Sequence, residues 1–238
     1  MNLKDQLKEK QHAKVRSILE TAGRLGDKEG IEVYVVGGFV RDLIMGKPLN
    51  DIDIMTVGDG IPFARKLADE LVVKKIVPFK KFGTAIIPNK SVQIEVATAR
   101  TESYDDDSRK PAEVVYTDLK GDLLRRDFTI NAMAMDIRHE AFGELTDPFG
   151  GIADIEKQIL RTPLDPDKTF SEDPLRMMRA AYFASKLGFE IEKECRASIK
   201  RQAHRIDIVS WERVRDEFIK ILKTKKPSVG LVILQKTG

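Results

Sequence analysis

The pattern of apolar and polar positions between Val33 and Val57 predicts a strand, a turn, a helix and a second strand. The β-branched run Val33 to Val36 is typical of a buried strand. Two glycines follow, and apolar residues then recur at helical spacing until Gly46 ends the helix. From Asp51 to Val57 polar and apolar residues alternate at first, which predicts a strand with one buried face.

The remaining pattern predicts further helices and a pair of strands. Leu3 to Leu25 has apolar residues at helical spacing, and Pro62 suits the first position of a helix over 63–72. Two paired strands are expected around a turn at Pro88. They are Phe82 to Ile87 and Val92 to Thr98, the latter with Val92, Ile94 and Val96 facing the core. Other predicted helices are Asp118 to Arg125, Ile152 to Leu160, Glu192 to Arg205 and Ser210 to Lys223.

Two polar segments need separate interpretation. The stretch Thr101 to Lys110 predicts a mobile loop, in which Asp105 to Asp107 are expected to be solvated rather than to bind a metal. Near residue 170, Ser171 is a suitable N-cap for a helix that ends at Gly188. That helix is expected to bury a stripe of Leu175, Met178 and Tyr182.

Composition and charge place few limits on function. The chain has 238 residues, 42% of them hydrophobic and 33% charged, as in a globular protein of one or two domains. The net charge is only +3, but residues 195–226 hold ten lysines and arginines against four acids. That excess either attracts phosphates or belongs to a solvated helical surface. A single cysteine, Cys195, fits a cytoplasmic protein, and no apolar run is long enough to span a membrane.

The carboxylates of the second predicted strand are candidate metal ligands. Asp51 and Asp53 point to one side of the strand, roughly 6.5–7 Å apart along it. Carboxylates this close repel each other unless a cation lies between them, and Mg²⁺ prefers such oxygen ligands with water and phosphate. Gly37 and Gly38 lack Cβ atoms, so a polyphosphate can approach their backbone at a helix N-terminus. Each feature taken alone has an alternative explanation: the two glycines could form an ordinary turn, and the two aspartates could be a surface pair.

Three other places carry candidate chemistry. Glu95 lies on the polar face of a predicted strand, either as a third metal carboxylate or as an ordinary exposed glutamate. A guanidinium at Arg126 can hold a triphosphate, and the carboxylate of Asp127 can accept hydrogen bonds from ribose hydroxyls. Asp173 and Arg176 are three residues apart and are expected to share a helical face, where a first-turn salt bridge is the alternative.

The order of these motifs resembles a known family. The motifs are GGxVRD from Gly37 with DxD eight residues later, RRDFTxNAxA from Arg125, DPxxG from Asp147 and EDxxR from Glu172. Together they resemble the class II, bacterial-type branch of the polymerase-β-like nucleotidyltransferases. That branch holds the tRNA CCA-adding enzymes and the bacterial poly(A) polymerases. The resemblance covers nearly the whole chain.

The resemblance implies roles for the matching residues. The catalytic residues would be Asp51, Asp53 and Glu95, with Asp51 and Asp53 as ligands of two Mg²⁺ ions. The nucleotide-binding residues would be Gly37, Gly38, Arg41, Arg126, Asp127, Asp173, Arg176 and Arg179. Among them, Asp173 and Arg176 would act as a protein template that pairs with cytosine and adenine but not with uracil or guanine. The position three residues after Arg179, often arginine in the family, is Tyr182.

The resemblance also implies a fold and a function. The fold expected is α+β, with a nucleotidyltransferase head over residues 1–149 that contains a small mixed, largely antiparallel sheet. An all-α neck over 150–238 would follow, and the body and tail of relatives would be absent. The function implied is addition of C, C and A, or part of CCA, to the tRNA 3′ end from CTP and ATP, with release of pyrophosphate. The alternatives are a poly(A) polymerase and a noncatalytic RNA-binding module.

Overall fold

The chain forms two compact units. The computed structural model describes residues 1–89, 92–104 and 111–238, with 102–104 and 111–114 described by their backbone alone. The first unit, here the sheet unit, consists of Met1–Thr101, Val115–Leu123 and Asn131–Phe149. The second, here the helical unit, consists of Glu102–Val114, Leu124–Ile130 and Gly150–Gly238. Asp105 to Asp107, for which we expect solvation, lie outside the described residues.

The sheet unit is built on a mixed sheet. Strands β1 to β9 span Glu32–Val36, Asp51–Val57, Val77–Phe79, Thr84–Ile87, Gln93–Thr98, Arg100–Tyr104, Pro111–Tyr116, Ala134–Asp136 and Leu145–Thr146. Residues 102–104 of β6 and 111–114 of β7 belong to the helical unit. The order in the main sheet is β3-β4-β5-β2-β1-β8-β9. Here β2 and β5 run parallel and the other described neighbours antiparallel, which confirms the expectation of a mixed, largely antiparallel sheet.

The short strand β3 and the pairing of β6 with β7 were not expected from the sequence. β6 and β7 form a separate two-stranded sheet. The predicted loop from Thr101 to Lys110 is therefore wrong for its first four residues, which lie in β6.

β5 and the first half of β2 bury one face, as their alternation predicts, whereas Met55 further along β2 is buried on the opposite face. On β2, Ile52 and Ile54 are 0% and 1% exposed, whereas Asp51 is exposed and Asp53 partly exposed. On and beside β5, Val92, Ile94 and Val96 are all buried. Because successive side chains of a strand point to opposite faces, burial of the apolar set leaves the polar set of both strands on the other face.

Helices of the sheet unit differ from the expected ones mainly at their ends. Helices α1 to α4 span Ala13–Glu29, Gly38–Ile44, Gly60–Glu70 and Leu119–Leu124. The predicted helix from Leu3 begins only at Ala13, after two 3₁₀ turns. The Leu3 N–H instead donates to the Gly143 carbonyl at 2.7 Å, which keeps the first residues beside β9. Helix α3 begins at Gly60, because the Asp59 side chain accepts from the Ile61 N–H, so Pro62 is its third residue.

The helical unit contains helices joined by short segments. Helices α5 to α10 span Gly151–Lys157, Pro166–Glu172, Leu175–Leu187, Lys193–Gln202, Trp211–Leu222 and Pro227–Thr237. Two two-residue strands, β10 (Ile159–Leu160) and β11 (Glu190–Ile191), pair in parallel, so the unit is not all-α. The predicted helix to Leu160 stops at Lys157 because Gln158 is left-handed, with φ 57°. Helix α10 was not predicted.

The segment around Asp173 departs most from expectation. A single helix capped by Ser171 was expected, but Ser171 lies inside α6, and α7 begins only after Pro174. Proline has no N–H to continue the helical ladder and drives the preceding residue to extended geometry. Asp173 accordingly has φ −138° and ψ 95°. The prediction of one continuous helix with Ser171 as its N-cap is therefore wrong.

Within the described residues, none of the helices combines the length and the apolar character that crossing a bilayer requires.

Close packing of α1 on the sheet depends on Gly23. A Cβ atom at this position would lie 1.8 Å from the backbone carbonyl oxygen of Ile137, a distance that requires one of the two elements to move. We expect Gly23→Ala to lower the free energy of unfolding by about 2–3 kcal/mol, although alanine favours a helix. Urea denaturation measures this, with Arg24→Ala on the exposed side of α1 as control. A Gly23→Ala protein as stable as the control would contradict the packing.

Candidate functional site

A glycine turn joins β1 to α2 in the sheet unit. Gly37 has φ 70° and ψ −130°, a conformation that residues with a Cβ atom rarely adopt. Its N–H donates to the Met133 carbonyl at 3.1 Å, and its own carbonyl accepts from the Arg41 N–H at 3.2 Å. A Cβ atom at Gly38 would meet nothing closer than the Arg41 guanidinium at 3.5 Å. The turn therefore presents backbone rather than side chains at the start of α2.

The structure brings Asp53 and Glu95 together. They are register partners on the parallel strands β2 and β5, and Asp51 is the partner of Gln93 two residues earlier. Burial, and secondly the negative charge of Asp53, raise the pKa of Glu95 above its ordinary value. Asp51, Asp53 and Glu95 thus lie on the polar face of neighbouring strands.

This arrangement fits a hard divalent cation in charge and in donor type. Carboxylate oxygens are the ligands of Mg²⁺, and a cation would relieve the repulsion between Asp53 and Glu95, which adds to burial in raising the pKa of Glu95. No three His, Cys, Asp or Glu side chains in the described part of the chain are arranged so that they hold a metal by themselves. Water and substrate phosphate, which Mg²⁺ commonly keeps as ligands, would therefore complete the site.

Arg41, expected to bind nucleotide, is a buried side chain with partners inside the sheet unit. It is 2% exposed. Its Nη1 donates to Asn131 Oδ1 at 2.6 Å, and Nε donates to Asp42 Oδ1 at 2.8 Å. These bonds tie α2 to Asn131, so Arg41 orients the helix behind the glycine turn. Its role toward a nucleotide stays a prediction.

Asp127, which is buried, forms an ion pair in the helical unit with Arg179, whose side chain is one-third exposed. Arg179 Nε donates to Asp127 Oδ2 at 2.7 Å, and the other oxygen of Asp127 accepts from the Phe128 N–H at 2.8 Å. The Arg179 guanidinium also lies 5.2 Å from the centre of the Phe183 ring and 4.0 Å from Glu217. Burial acts to lower the pKa of Arg179, but Asp127 and Glu217 more than offset it and raise the pKa.

Asp173 and Arg176, the expected base template, are held by different partners. Arg176 is 7% exposed, and its guanidinium donates to the carbonyls of Arg125 at 2.6 Å and Thr169 at 3.3 Å. Asp173 accepts from the Leu175 N–H at 3.2 Å, while its other oxygen lies 3.8 Å from Arg213. Because Asp173 precedes α7, the two residues do not share a helical face as predicted, although both lie at the start of that helix.

Some residues of this arrangement were missed in the sequence. Asn131, 6% exposed, holds Arg41, and α9 supplies Arg213 to Asp173 and Glu217 to Arg179. The available signals were the asparagine of RRDFTxNAxA and the i, i+4 spacing of Arg213 and Glu217 on one helix face. Arg126, predicted to contact the nucleotide, is partly exposed.

Comparison with known proteins agrees with the motifs. A family model described as the poly A polymerase head domain matches residues 33–161. The chain belongs to this family. A second model, described as a probable RNA and SrmB-binding site of polymerase A, matches residues 188–238. The resemblance inferred from the motifs is therefore confirmed. The region matched by the first model includes the glycine turn, both aspartates of β2 and the RRDFTxNAxA motif.

Individual members of the family are similar over most of this chain. It is 42% identical over 211 residues to the CCA-adding enzyme of Bacillus pumilus (strain SAFR-032), covering 88% of this chain and 50% of that enzyme. It is 36% identical over 226 residues to the A-adding tRNA nucleotidyltransferase of Geobacter sulfurreducens, covering 93% of this chain and 25% of that enzyme. The solved structure of the Thermotoga maritima CCA-adding enzyme complexed with tRNA-CCA has a TM-score of 0.85 to this chain at 32% identity. The match covers 100% of this chain and 54% of that enzyme.

These coverages show that the chain spans about half the length of most of the curated relatives it matches. The fold of the nucleotidyltransferase head is shared with the solved CCA-adding enzymes of the family.

The ion pair of Asp127 with Arg179 should contribute to stability, because the buried Asp127 carboxylate accepts a charge-assisted hydrogen bond from Arg179 and another from the Phe128 N–H. We expect Asp127→Asn to lower the free energy of unfolding by about 2–3 kcal/mol. Asp216→Asn, which removes the partner of exposed Arg215, is a matched control and should change it by less than about 1 kcal/mol. Chemical denaturation of both variants measures the difference. Equal effects would contradict a stabilising role of the buried Asp127 carboxylate.

Proposed function

We propose that this chain acts as a tRNA nucleotidyltransferase that adds C, C and A, or part of CCA, to the tRNA 3′ end. The observation that carries the proposal is the acidic face of β2 and β5, where Asp53 lies opposite Glu95. The same unit has a glycine turn between β1 and α2. CTP and ATP would be the substrates and pyrophosphate the second product. The name of the similar enzyme from Geobacter sulfurreducens and the tRNA complex of the Thermotoga maritima enzyme support tRNA as the acceptor, and the name of the Bacillus pumilus enzyme supports addition of CCA.

The proposed reaction forms one bond and breaks one. The 3′-hydroxyl oxygen of the RNA attacks the α-phosphorus of the nucleotide, its proton passes to solvent, and the bond to pyrophosphate breaks. Magnesium ions, when bound, supply Lewis acidity that lowers the pKa of the hydroxyl and neutralises the leaving group. Asp51 and Asp53 would hold these two ions, and Glu95 would add negative charge beside them. The Gly37 N–H donates to the Met133 carbonyl, so the backbone N–H groups that follow it, from Gly38 onward, would face the triphosphate.

In the helical unit, the proposed task is recognition of the nucleotide. Asp173 would accept a hydrogen bond from the exocyclic amine of cytosine or adenine, and Arg176 would donate to the ring. The backbone carbonyls that hold Arg176, and Arg213 beside Asp173, restrict both side chains before a nucleotide binds. Asp127 would bind ribose, and Arg126 and Arg179 the phosphates or the base. We accordingly assign catalysis to residues 1–149 and base recognition to 150–238.

The two alternatives are a poly(A) polymerase and a noncatalytic RNA-binding module. Addition of A alone, which is one form of the proposal, is supported by the similarity to the Geobacter sulfurreducens enzyme, and poly(A) synthesis is supported by the description of the family. A noncatalytic RNA-binding module would not need Asp51, Asp53 and Glu95 on one face. Incubation of the protein with tRNA lacking its CCA end and each labelled nucleotide separates all of these, because the length and sequence of the product differ.

Replacement of one metal ligand tests the catalytic assignment. Asp53→Asn keeps the size of the side chain but removes its charge, so we expect nucleotide incorporation in Mg²⁺ to fall at least ~100-fold. Thermal unfolding should remain unchanged or shift upward, because repulsion with Glu95 is removed. The exposed Asp69→Asn on α3 is the control and should be fully active. Comparable turnover by Asp53→Asn would exclude this role.

The template assignment predicts a change in base choice. Arg176→Lys retains a positive charge but loses the planar fork, so use of CTP and ATP should weaken together, and their advantage over UTP and GTP should fall at least ~10-fold. Incorporation of all four nucleotides is measured on a tRNA that wild type extends, with Arg215→Lys on α9 as control. If folding is intact and selectivity unchanged, Arg176 holds the start of α7 without reading the base.

A further inference from the structure

One edge of the sheet unit carries basic and aromatic side chains side by side. Residues 71–87 contain four lysines and no acidic residue. The lysines flank β3, and two phenylalanines near them are 43% and 41% exposed. We call this set the basic–aromatic edge; it consists of Lys74, Lys75, Phe79, Lys80, Lys81 and Phe82. Large aromatic side chains normally lose much more of their surface to the core, so two exposed rings here need an explanation.

Phe82 is presented to solvent by a defined local structure. It ends the 3₁₀ turn Lys80–Phe82, which Gly83 closes with φ 58°. The guanidinium of Arg100 on β6 lies 5.7 Å from the centre of the Phe82 ring, and its Nη1 donates to the Phe82 carbonyl. Because these contacts restrict the ring beforehand, little conformational entropy is lost when a flat ligand stacks on it.

The backbone of this edge is poorly suited to adding another strand. β3 is three residues long and pairs with β4 alone among the described strands, with Pro78 opposite Ala85. Proline has no N–H to offer a partner, and short edge strands with proline and lysine discourage strand pairing. Recognition here must therefore use side chains. Val77 and Phe79 share a face of β3, and both are exposed.

The lysines leave a positive surface around the rings. None of the four makes an ion pair within the residues that the structure describes. Lys74 and Lys75 also line a groove of about 320 Å³, to which Arg65 adds a further positive charge and Asp69 a negative one. Positive charges of this density attract phosphates, and aromatic rings between them offer stacking surfaces for bases.

We propose that the basic–aromatic edge binds single-stranded nucleic acid, with bases stacked on Phe79 and Phe82 and phosphates held by the lysines. This surface lies outside the residues assigned to catalysis and base choice, and its binding requires neither metal nor nucleotide. An acidic protein partner would use the same charges but would not need exposed ring faces. Protection of the sheet edge against aggregation would need the lysines and Pro78 alone.

Binding of a fluorescein-labelled, unstructured RNA oligonucleotide to the full chain, followed by anisotropy across a salt series, tests the proposal. Phe79→Ala with Phe82→Ala should weaken binding at least ~10-fold, since stacking on each ring is worth ~1–3 kcal/mol. Val77→Ala, an exposed aliphatic neighbour on β3, should leave it unchanged. Lys80→Ala with Lys81→Ala should reduce the slope of log K against log salt by about 1.4, from ~0.7 per phosphate on single strands.

The controls separate this surface from general attraction and from misfolding. Lys14→Ala with Lys28→Ala removes two exposed charges of α1 and should change the salt slope far less. Thermal unfolding is compared for every variant, and the lysine pair is independent of any effect of the phenylalanine pair on folding. RNA binding that is unchanged in both edge variants would overturn the proposal. So would an equal loss in the α1 variant, which would indicate attraction by overall charge.

Discussion

Alternation along β2 is the constraint on which the sheet unit depends. Ile52 and Ile54 are buried, and because successive side chains of a strand point to opposite faces, Asp51 and Asp53 lie on the other face. A slip of one residue would place two carboxylates in the core, at a cost far above that of any ordinary packing defect. Parallel pairing with β5 then sets Glu95 against Asp53. The hydrophobic effect on one face thus concentrates negative charge on the other.

The helical unit places two arginines among charged and polar partners; Arg176 is buried, and Arg179 is one-third exposed. Arg179 lies between Asp127 and Glu217, and Arg176 donates to backbone carbonyls. A buried guanidinium without such partners would be strongly destabilising, so these contacts explain how arginines are tolerated at the start of α7. Side chains held in this way have little conformational freedom left to lose, which favours selective binding of a planar ligand.

Local helix propensity and long-range contacts compete most clearly at the ends of helices. Leu3 to Leu25 has helical spacing throughout, yet pairing of the first residues with Gly143 delays the helix to Ala13. Near Asp173 the opposite holds, since Pro174 by itself divides the predicted helix into α6 and α7. Partners distant in sequence act only after folding, whereas the effect of proline is local and was available from the sequence.

The sequence by itself determined the elements whose apolar residues recur in a clear pattern, namely β1, α2, β2 and β5. It also determined the family, through the order of its motifs. It also indicated which carboxylates share the polar face, because alternation in a strand is a local property. The tertiary structure alone decided that Asp53 faces Glu95, that Arg41 holds Asn131, and that Arg179 is paired with Asp127. These partners lie 42, 90 and 52 residues apart. Strand register and helix packing bring them together, and no local pattern encodes either.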